Sequence, residues 1–525
     1  MTHPGLVEAM ADPRFYPHRP DRVELVQTHI SYIFIAGDLV FKVKKAVDFG
    51  FLDFTTLEKR RYYCREELRL NRRLAPEAYL EVVEIREDDG RLFLGMDRGE
   101  VVEYAVKMVR LPRERMLKKL LAEGRVTSSV MDAVANKIAD FHAAADTGGK
   151  IDEIGGVDTV RRNNEENFEQ TRKYIGRTIR KDQYDFVEVY VFRFMEEQNE
   201  LLHKRVRDHR IRDCHGDLHL EHICLTDGIV VFDCIEFNER FRYEDVAAEV
   251  AFLAMDLDFN GYPDFGDRFV ESYCRYARDP EVKILLNFYK CYYAYVRGKV
   301  TSFRSDDEVV TIDERKEAGE TASRYFDLAY RYAARPEKPV VVVMTGLMGT
   351  GKSVLAGNLA PLLGAEVIRT DVLRKDLLEI KPTERHYEAF GEGIYSEELT
   401  EKTYERAIED ARRKLREGRS VIIDASFRRR HDRMKVRAMS REEGADFFVI
   451  ECVCPEEVIK KRLDARVKER EEPSDGRWEL FAEQKKRFEP VEEYTAKEHI
   501  VIDTSGPVEL TVGRAIRRIR FGSDN

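Results

Sequence analysis

One eight-residue segment limits the fold of this chain more than any other. Gly346-Leu-Met-Gly-Thr-Gly-Lys352-Ser353 matches G-x-x-x-x-G-K-[ST] at every specified position. Such a loop works through its backbone. Glycines allow a turn whose N–H groups point inward at phosphate oxygens, and the helix that follows adds its positive dipole end. Gly346, Gly349, Thr350, Gly351, Lys352, Ser353 and Val354 are therefore the candidate nucleotide-binding residues. Lys352 brings charge to the β- and γ-phosphates, and the Ser353 hydroxyl can hold Mg²⁺. Ordinary residue frequencies give on the order of 0.02 chance matches in a chain this long. The loop also follows the apolar run Val340–Met344, as a strand-to-helix junction requires.

The rest of the C-terminal part alternates strand and helix. Candidate strands are Val340–Thr345, Glu366–Thr370, Ser420–Asp424, Phe447–Val453 and His499–Asp503. The first, third and fourth are nearly continuous apolar runs, expected of strands covered on both faces. Helical segments between them predict a doubly wound parallel sheet. Ligands of such sheets collect at the carboxyl ends of strands. Asp371 and Asp424 follow or end two of them. Asp424 is a candidate Mg²⁺ ligand. Asp371 reads either as a proton acceptor for an attacking hydroxyl or as an N-cap on the next helix. Arg462, Arg466 and Arg470 recur every four residues on one helical face, which suits either a solvated basic face or a group of cations over a transferring phosphoryl group.

Ala334-Arg-Pro336-Glu-Lys-Pro339 separates this region from the preceding one, because two prolines bar helix continuation. Residues 1–112 read as a small β-rich lobe. Tyr32-Ile-Phe-Ile and Leu39-Val-Phe-Lys-Val form a hairpin around Gly37-Asp38, and a helix runs from Thr56 to about Leu74. Residues 113–335 read as a larger helical lobe with a strand-like island over 211–237, and residues 336–525 as the third unit. Within the island, His215-Gly216-Asp217 precedes a strand, and Phe232-Asp233-Cys-Ile-Glu236 follows a turn at Asp227-Gly228. Phosphotransfer needs one carboxylate beside the acceptor hydroxyl and another holding the metal. Asp217 and Asp233 suit those roles, although two structural aspartates would give the same spacing.

Composition narrows the setting. The chain has 525 residues, 43% apolar and 36% charged, which predicts several folding units under a charged surface. A net charge of −10 argues against a nucleic-acid partner. The first twenty residues hold no apolar stretch of signal-peptide length, and no window approaches the ~18 apolar residues of a membrane span. The eight cysteines form no C-x-x-C pair and suggest neither zinc nor a disulfide framework, so a cytoplasmic setting is expected.

Two resemblances rest on these motifs. Residues 340–525 resemble small P-loop kinases that phosphorylate metabolites or nucleic-acid ends, together with the zeta-toxin type. That resemblance implies a D-x-x-R segment with Asp371 as base and Arg374 as substrate-binding arginine, and a lid helix carrying Arg462 and Arg466. Residues from about 20 to 335 resemble the aminoglycoside phosphotransferase family, whose fold is similar to the protein kinases. It implies Asp217 as catalytic aspartate, Asp233 as metal ligand, Asp245 as a structural aspartate, and Lys42 as phosphate-binding lysine. Lys44 and Lys45 are rivals to Lys42. Glu67 is its implied helix partner, with Glu66 a rival. The family usually has asparagine five residues after the catalytic aspartate, where this chain has His222. Imidazole is a poor ligand for Mg²⁺. Either Asp233 and water carry the metal, another residue substitutes, or transfer has been lost. Thr28-His-Ile-Ser31 also lacks the glycines of a typical phosphate-covering loop.

The expectation is thus a multidomain α/β chain resembling bacterial fusions of these two families: a bilobal, protein-kinase-like α+β domain followed by a P-loop domain. The resemblance implies a bifunctional ATP- and Mg²⁺-dependent phosphotransferase acting on a small-molecule hydroxyl, without membrane partners. The acceptor and the oligomeric state are not legible. Two alternatives accompany it: a nucleotide-sensing pseudokinase in the N-terminal part, and a nucleic-acid-end or toxin-like kinase in the C-terminal part, the latter suggested by Arg428-Arg-Arg430.

Overall fold

The computed structural model describes residues 3–95, 98–307, 310–381, 384, 391–466 and 476–522. The chain divides into two compact units, Met1–Ala329 and Tyr330–Asn525.

The first unit opens with a six-stranded antiparallel sheet. Its strands are β1 (Val23–Gln27), β2 (Ser31–Ala36), β3 (Leu39–Lys44), β4 (Tyr79–Asp88), β5 (Arg91–Leu94) and β6 (Glu100–Val109), in spatial order β1-β2-β3-β6-β4-β5. β2 and β3 form the expected hairpin, with Ile35 opposite Val40 and Gly37 in the left-handed region at the turn. Alternation sorts the two faces. Phe34, Phe41, Val43, Ile85 and Ala105 pack with Leu6, Met10 and Tyr16. Val106, Tyr104 and Tyr79 pack with Cys64 of the helix Leu57–Asn71. Thr56 caps that helix through its hydroxyl, which accepts the Lys59 amide at 3.2 Å. The helix ends at Asn71, three residues before the expected Leu74, where the chain turns back through Ala75 and Ala78.

The remainder of this unit is mostly helical. The expected island resolves into β7 (Ile211–Asp213), β8 (Ile223–Leu225) and β9 (Ile229–Val231), and β7 pairs with a further strand, β10 (Tyr243–Asp245). The helix Val246–Phe259 is buried over nearly its whole length, because it is apolar all round and packs against the helices Pro263–Tyr276 and Val282–Ser305.

The second unit is a five-stranded, wholly parallel sheet. β11 (Val340–Thr345), β12 (Ala365–Arg369), β13 (Ser420–Asp424), β14 (Asp446–Val453) and β15 (His499–Asp503) lie in the order β12-β13-β11-β14-β15. β11 and β13 are buried at every position, so their Val and Ile runs face helices on both sides. Val341, Val343, Val421 and Ile423 meet Tyr404, Ala407, Val436 and Met439 on one face. The helices Lys352–Leu363 and Val508–Phe521 contact each other and the sheet. The strand expected at Glu366–Thr370 lies one residue earlier, since Thr370 already opens a helix running to Asp376. None of the eight cysteines is bridged. Among the described residues no helix is long and apolar enough to cross a membrane.

Candidate functional sites

In the second unit, β11 ends at Thr345, the loop spans Gly346–Gly351, and a helix begins at Lys352. Gly346 has φ +129°, and a Cβ there would lie 2.5 Å from the Cys452 carbonyl oxygen. Only glycine fits. The Met348 amide donates to Gln484 Oε1 at 2.7 Å and the Gly346 amide to the Ser426 carbonyl at 3.4 Å. The amides of Gly349, Gly351, Ser353 and Val354 have no protein acceptor among the described residues. They sit where the helix dipole favours an anion. Lys352 folds back over the loop, its Nζ donating to the carbonyls of Gly346 (3.0 Å) and Leu347 (2.7 Å).

Asp424 at the end of β13 is buried. Burial pushes its carboxyl above the usual range, against a hydrogen bond from Ser353 and the charge of Lys352. Ser353 and Asp424 thus offer two adjacent oxygen donors, the chemistry Mg²⁺ takes. Asp371 lies in the first turn of the helix Thr370–Asp376, but Arg369 holds the N-cap position, so the capping reading of Asp371 falls. Asp371 lines one cleft with Lys352, Ser353, Arg374 and Asp424. Arg374 is buried. Its Nη1 donates to the Ile394 carbonyl and the Thr400 hydroxyl, both at 3.0 Å, and its guanidinium stacks over Tyr395. Its Nε is buried without a hydrogen-bond partner among the described residues.

Arg462 is placed differently from the expectation of a lid. Its Nη2 donates to the Thr504 carbonyl at 2.6 Å and its Nη1 to the Thr504 hydroxyl at 3.2 Å. That hydroxyl in turn donates to the Thr350 carbonyl at 2.6 Å. Arg462 therefore braces the phosphate loop from behind. The side chain of Arg466, and the whole of Arg470, lie outside the described residues.

In the first unit, Lys42 on β3 pairs with Asp233 Oδ1 at 2.6 Å and with Glu67 Oε1 at 2.9 Å. Glu66 instead pairs with Arg69 on the surface, which settles which glutamate faces the sheet. Lys44 shares Glu67, at 2.7 Å from Oε2, and also pairs with Glu236. Lys45 donates to the Thr28 carbonyl at 2.7 Å and takes no part in this cluster. Burial disfavours the charge on Lys42, but Asp233, Glu67 and Glu236 outweigh it and hold its pKa well above the usual value.

The His215-Gly216-Asp217 loop follows β7. Gly216 has φ +83°, and a Cβ would lie 2.6 Å from the Phe241 carbonyl oxygen. His215 Nε2 donates to the Phe232 carbonyl at 2.9 Å, and its Nδ1 accepts the Asp217 amide at 3.3 Å. Burial lowers the pKa of this neutral imidazole to about 4. Asp217 Oδ2 lies 3.6 Å from His219 Nε2 and 3.5 Å from His222 Nδ1. Burial works against its ionised form, but His219, His222 and Arg297 together hold it well below the carboxylate range. Asp233 has φ +65°, a conformation that a non-glycine residue adopts only when its surroundings impose it. Tyr79 Oη accepts its amide at 3.1 Å. Asp245 caps the helix Val246–Phe259 and pairs with buried Arg205 at 2.7 Å, a structural role. One participant carries no local signal in the sequence, Glu249, whose carboxylate holds the loop amides, while Lys44, a rival to Lys42 in the sequence, joins the same cluster through Glu67 and Glu236. Thr28 closes its glycine-free turn through its own hydroxyl, which accepts the Ser31 amide at 3.0 Å.

Each unit of the chain is similar to known proteins. Residues 55–283 match the phosphotransferase enzyme family, and residues 341–491 match an AAA domain. Among solved structures, a GDP complex of aminoglycoside 2′-phosphotransferase-IIIa is 14% identical, covering 61% of this chain and 97% of that one, with a TM-score of 0.41. A gluconokinase from Sinorhizobium meliloti 1021 is 18% identical, covering 34% and 91%, with a TM-score of 0.25. An uncharacterized protein of Mycobacterium tuberculosis is 32% identical over 495 residues, 94% of each chain. With that relative matched almost end to end, the chain belongs to the same family as the mycobacterial protein, and in it a kinase-like domain of the phosphotransferase enzyme family is followed by a P-loop kinase domain.

Proposed function

We propose that the P-loop domain transfers the γ-phosphoryl group of ATP to a hydroxyl of an anionic small molecule. One observation carries this reading: a single cleft gathers Lys352, Ser353, Asp371, Arg374 and Asp424 around uncommitted loop amides. The amides and Lys352 grip the phosphates. Ser353 and Asp424 would hold Mg²⁺, which there offsets phosphate charge. The acceptor oxygen attacks the γ-phosphorus, the β–γ bridging bond breaks, and the hydroxyl proton passes to Asp371. Arg374, with Arg369 and Arg428 on the same lining, favours an acceptor bearing a carboxylate, sulfate or phosphate. Arg462 acts by keeping the loop in shape.

The kinase-like domain carries a second candidate centre, with Asp217 as base and Lys42, held by Glu67, toward the phosphates. Its metal position departs from an all-oxygen set because His222 faces Asp233. That observation also favours a second reading, in which this domain senses nucleotide without transferring phosphate. A nucleic-acid-end role for the P-loop domain has less support, since Arg429 is paired with Glu397. The unbridged cysteines accord with a cytoplasmic setting.

ATP consumption and labelled-product formation from a metabolite pool, measured on wild type, Lys352→Ala, Asp217→Asn and the double variant, test the scheme. Lys352→Ala should cost the P-loop activity about a hundredfold or more. Unchanged turnover in Lys352→Ala made in the Asp217→Asn background would sink the P-loop reading. Transfer lost on Asp217→Asn, with Lys352 already replaced, would exclude the sensing reading.

A further inference from the structure

Asp217, His219 and His222 bring potential ligand atoms within 4.8 Å of one another, and His222 also reaches toward Asp233. The hydrogen bonds show which atoms remain for a metal. His222 Nδ1 lies 2.9 Å from the Asp217 carbonyl oxygen, which can only accept, so Nδ1 carries the proton and Nε2 carries the lone pair. An imidazole fixed by a backbone carbonyl on one nitrogen and open on the other is the usual arrangement of a metal-ligating histidine. Nε2 faces Asp233 Oδ2 at 3.6 Å, too far for a hydrogen bond. Two donors each about 2.1 Å from one ion in a tetrahedral arrangement would stand ~3.4 Å apart. The other Asp233 oxygen, Oδ1, is already held by Lys42 at 2.6 Å, so Oδ2 is the one left to face an ion.

His219 is excluded from the same set. Its Nδ1 accepts the Glu221 amide at 3.3 Å, which puts the proton on Nε2, the nitrogen that faces Asp217. His219 is therefore a donor to the aspartate. The ligand pair is one imidazole nitrogen and one carboxylate oxygen, with the remaining positions open to water or phosphate oxygens. Mg²⁺ demands oxygen donors and binds imidazole poorly, whereas Mn²⁺, Co²⁺ and Zn²⁺ accept a mixed nitrogen and oxygen set.

We propose that the kinase-like domain takes a divalent first-row transition ion, through His222 Nε2 and Asp233 Oδ2, in preference to Mg²⁺. The binding itself does not depend on phosphotransfer. Only its use in catalysis rests on the reading of this cleft given above.

The test uses the full-length chain without nucleotide. Mn²⁺ and Mg²⁺ affinities are measured by calorimetry, and pulsed EPR of bound Mn²⁺ reports coupling to a ligating nitrogen. The expected result is Mn²⁺ binding at least tenfold tighter than Mg²⁺, with nitrogen coupling. His222→Asn should lower the Mn²⁺-to-Mg²⁺ affinity ratio at least tenfold and remove the coupling. The P-loop site cannot mimic this signal, because its candidate donors are oxygens. Equal Mn²⁺ and Mg²⁺ affinity in wild type, no Mn²⁺ binding, or a coupling that survives His222→Asn would each overturn the proposal. The nitrogen coupling in wild type decides it even if a variant fails to fold, and its absence from bound Mn²⁺ would overturn the proposal. A positive metal result with no transfer would separate this inference from the phosphotransfer reading, which the Lys352 and Asp217 variants address independently.

Discussion

Glu249 accepts the backbone amide of Gly216 at 2.7 Å from a position 33 residues downstream. The same oxygen takes the His215 amide at 2.8 Å, while the other oxygen meets His142 Nε2 at 2.7 Å. His142 is itself held by the Tyr273 hydroxyl at 2.7 Å. A buried carboxylate on the central helix thus sets the direction in which Asp217 leaves the loop. Burial alone would raise its pKa, but His142, His215 and the Gly216 amide outweigh that and lower it. Glu249→Ala strands two buried amides and an imidazole, at a cost of about 3 kcal/mol or more. Calorimetry of the full chain should show a lowered transition for the kinase-like domain, with nucleotide affinity of the P-loop domain unchanged. An unaltered melting profile would show the contact to be dispensable.

Lys44 makes the stronger claim on the small lobe. It is fully buried, between Glu67 and Glu236. Lys44→Met strands Glu236 in a dry site beside Glu67, which keeps Lys42, a loss of about 3–5 kcal/mol by the usual cost of breaking a buried pair. Adding Glu236→Gln removes the stranded charge and should recover part of that loss. Denaturant unfolding of the two variants measures the difference, and a double variant no more stable than Lys44→Met would contradict the pairing.

These two residues mark where sequence reading stops. The parallel sheet was legible because strands covered on both faces are continuous Val and Ile runs, and because Gly346–Ser353 is one contiguous motif. A β-branched residue fits an extended pattern, yet Thr370 starts a helix. Helical spacing put Arg462 on a basic face but could not say that Thr504, 42 residues away, would take it up. Glu66 and Glu67 are adjacent in a charged helix, and only the packing of that helix on the sheet turns Glu67 inward. Glu249 has no motif at all, and Lys44 reads only as a rival to Lys42, since the partners of both are chosen by tertiary contact. His222 was visible as a departure, but its tautomer depends on a carbonyl five residues back that bends toward the ring.

Backbone geometry gives a sharper prediction for the phosphate loop. Gly346→Ala places a methyl group 2.5 Å from the Cys452 carbonyl oxygen and demands a φ of +129° from an L-residue. Neither atom belongs to a flexible side chain, so the loop must shift. ATP affinity should fall at least tenfold in equilibrium binding, with the kinase-like domain's unfolding transition unmoved. Wild-type affinity in this variant would mean that the loop tolerates a different path from the one described.

The pH dependence of stability follows from His215. Its folded-state pKa is about 4, below the ordinary histidine value of ~6.5, because burial disfavours the cation and its Nδ1 is occupied by an amide. Between those two pH values the unfolded chain binds a proton there and the folded chain does not. Stability attributable to this residue is therefore complete above about pH 6.5 and is lost as pH falls toward 4, on the order of 3 kcal/mol across the window. Neighbouring carboxylates with lowered pKa, Asp217 and Asp233, lose their share only at still lower pH. His215→Gln, with an amide that can keep one of the two hydrogen bonds, should be less stable than wild type at pH 7.5 but should show a flatter decline between pH 6.5 and 4.5. Urea unfolding at three pH values in that interval measures both slopes, and parallel slopes would remove His215 as the source.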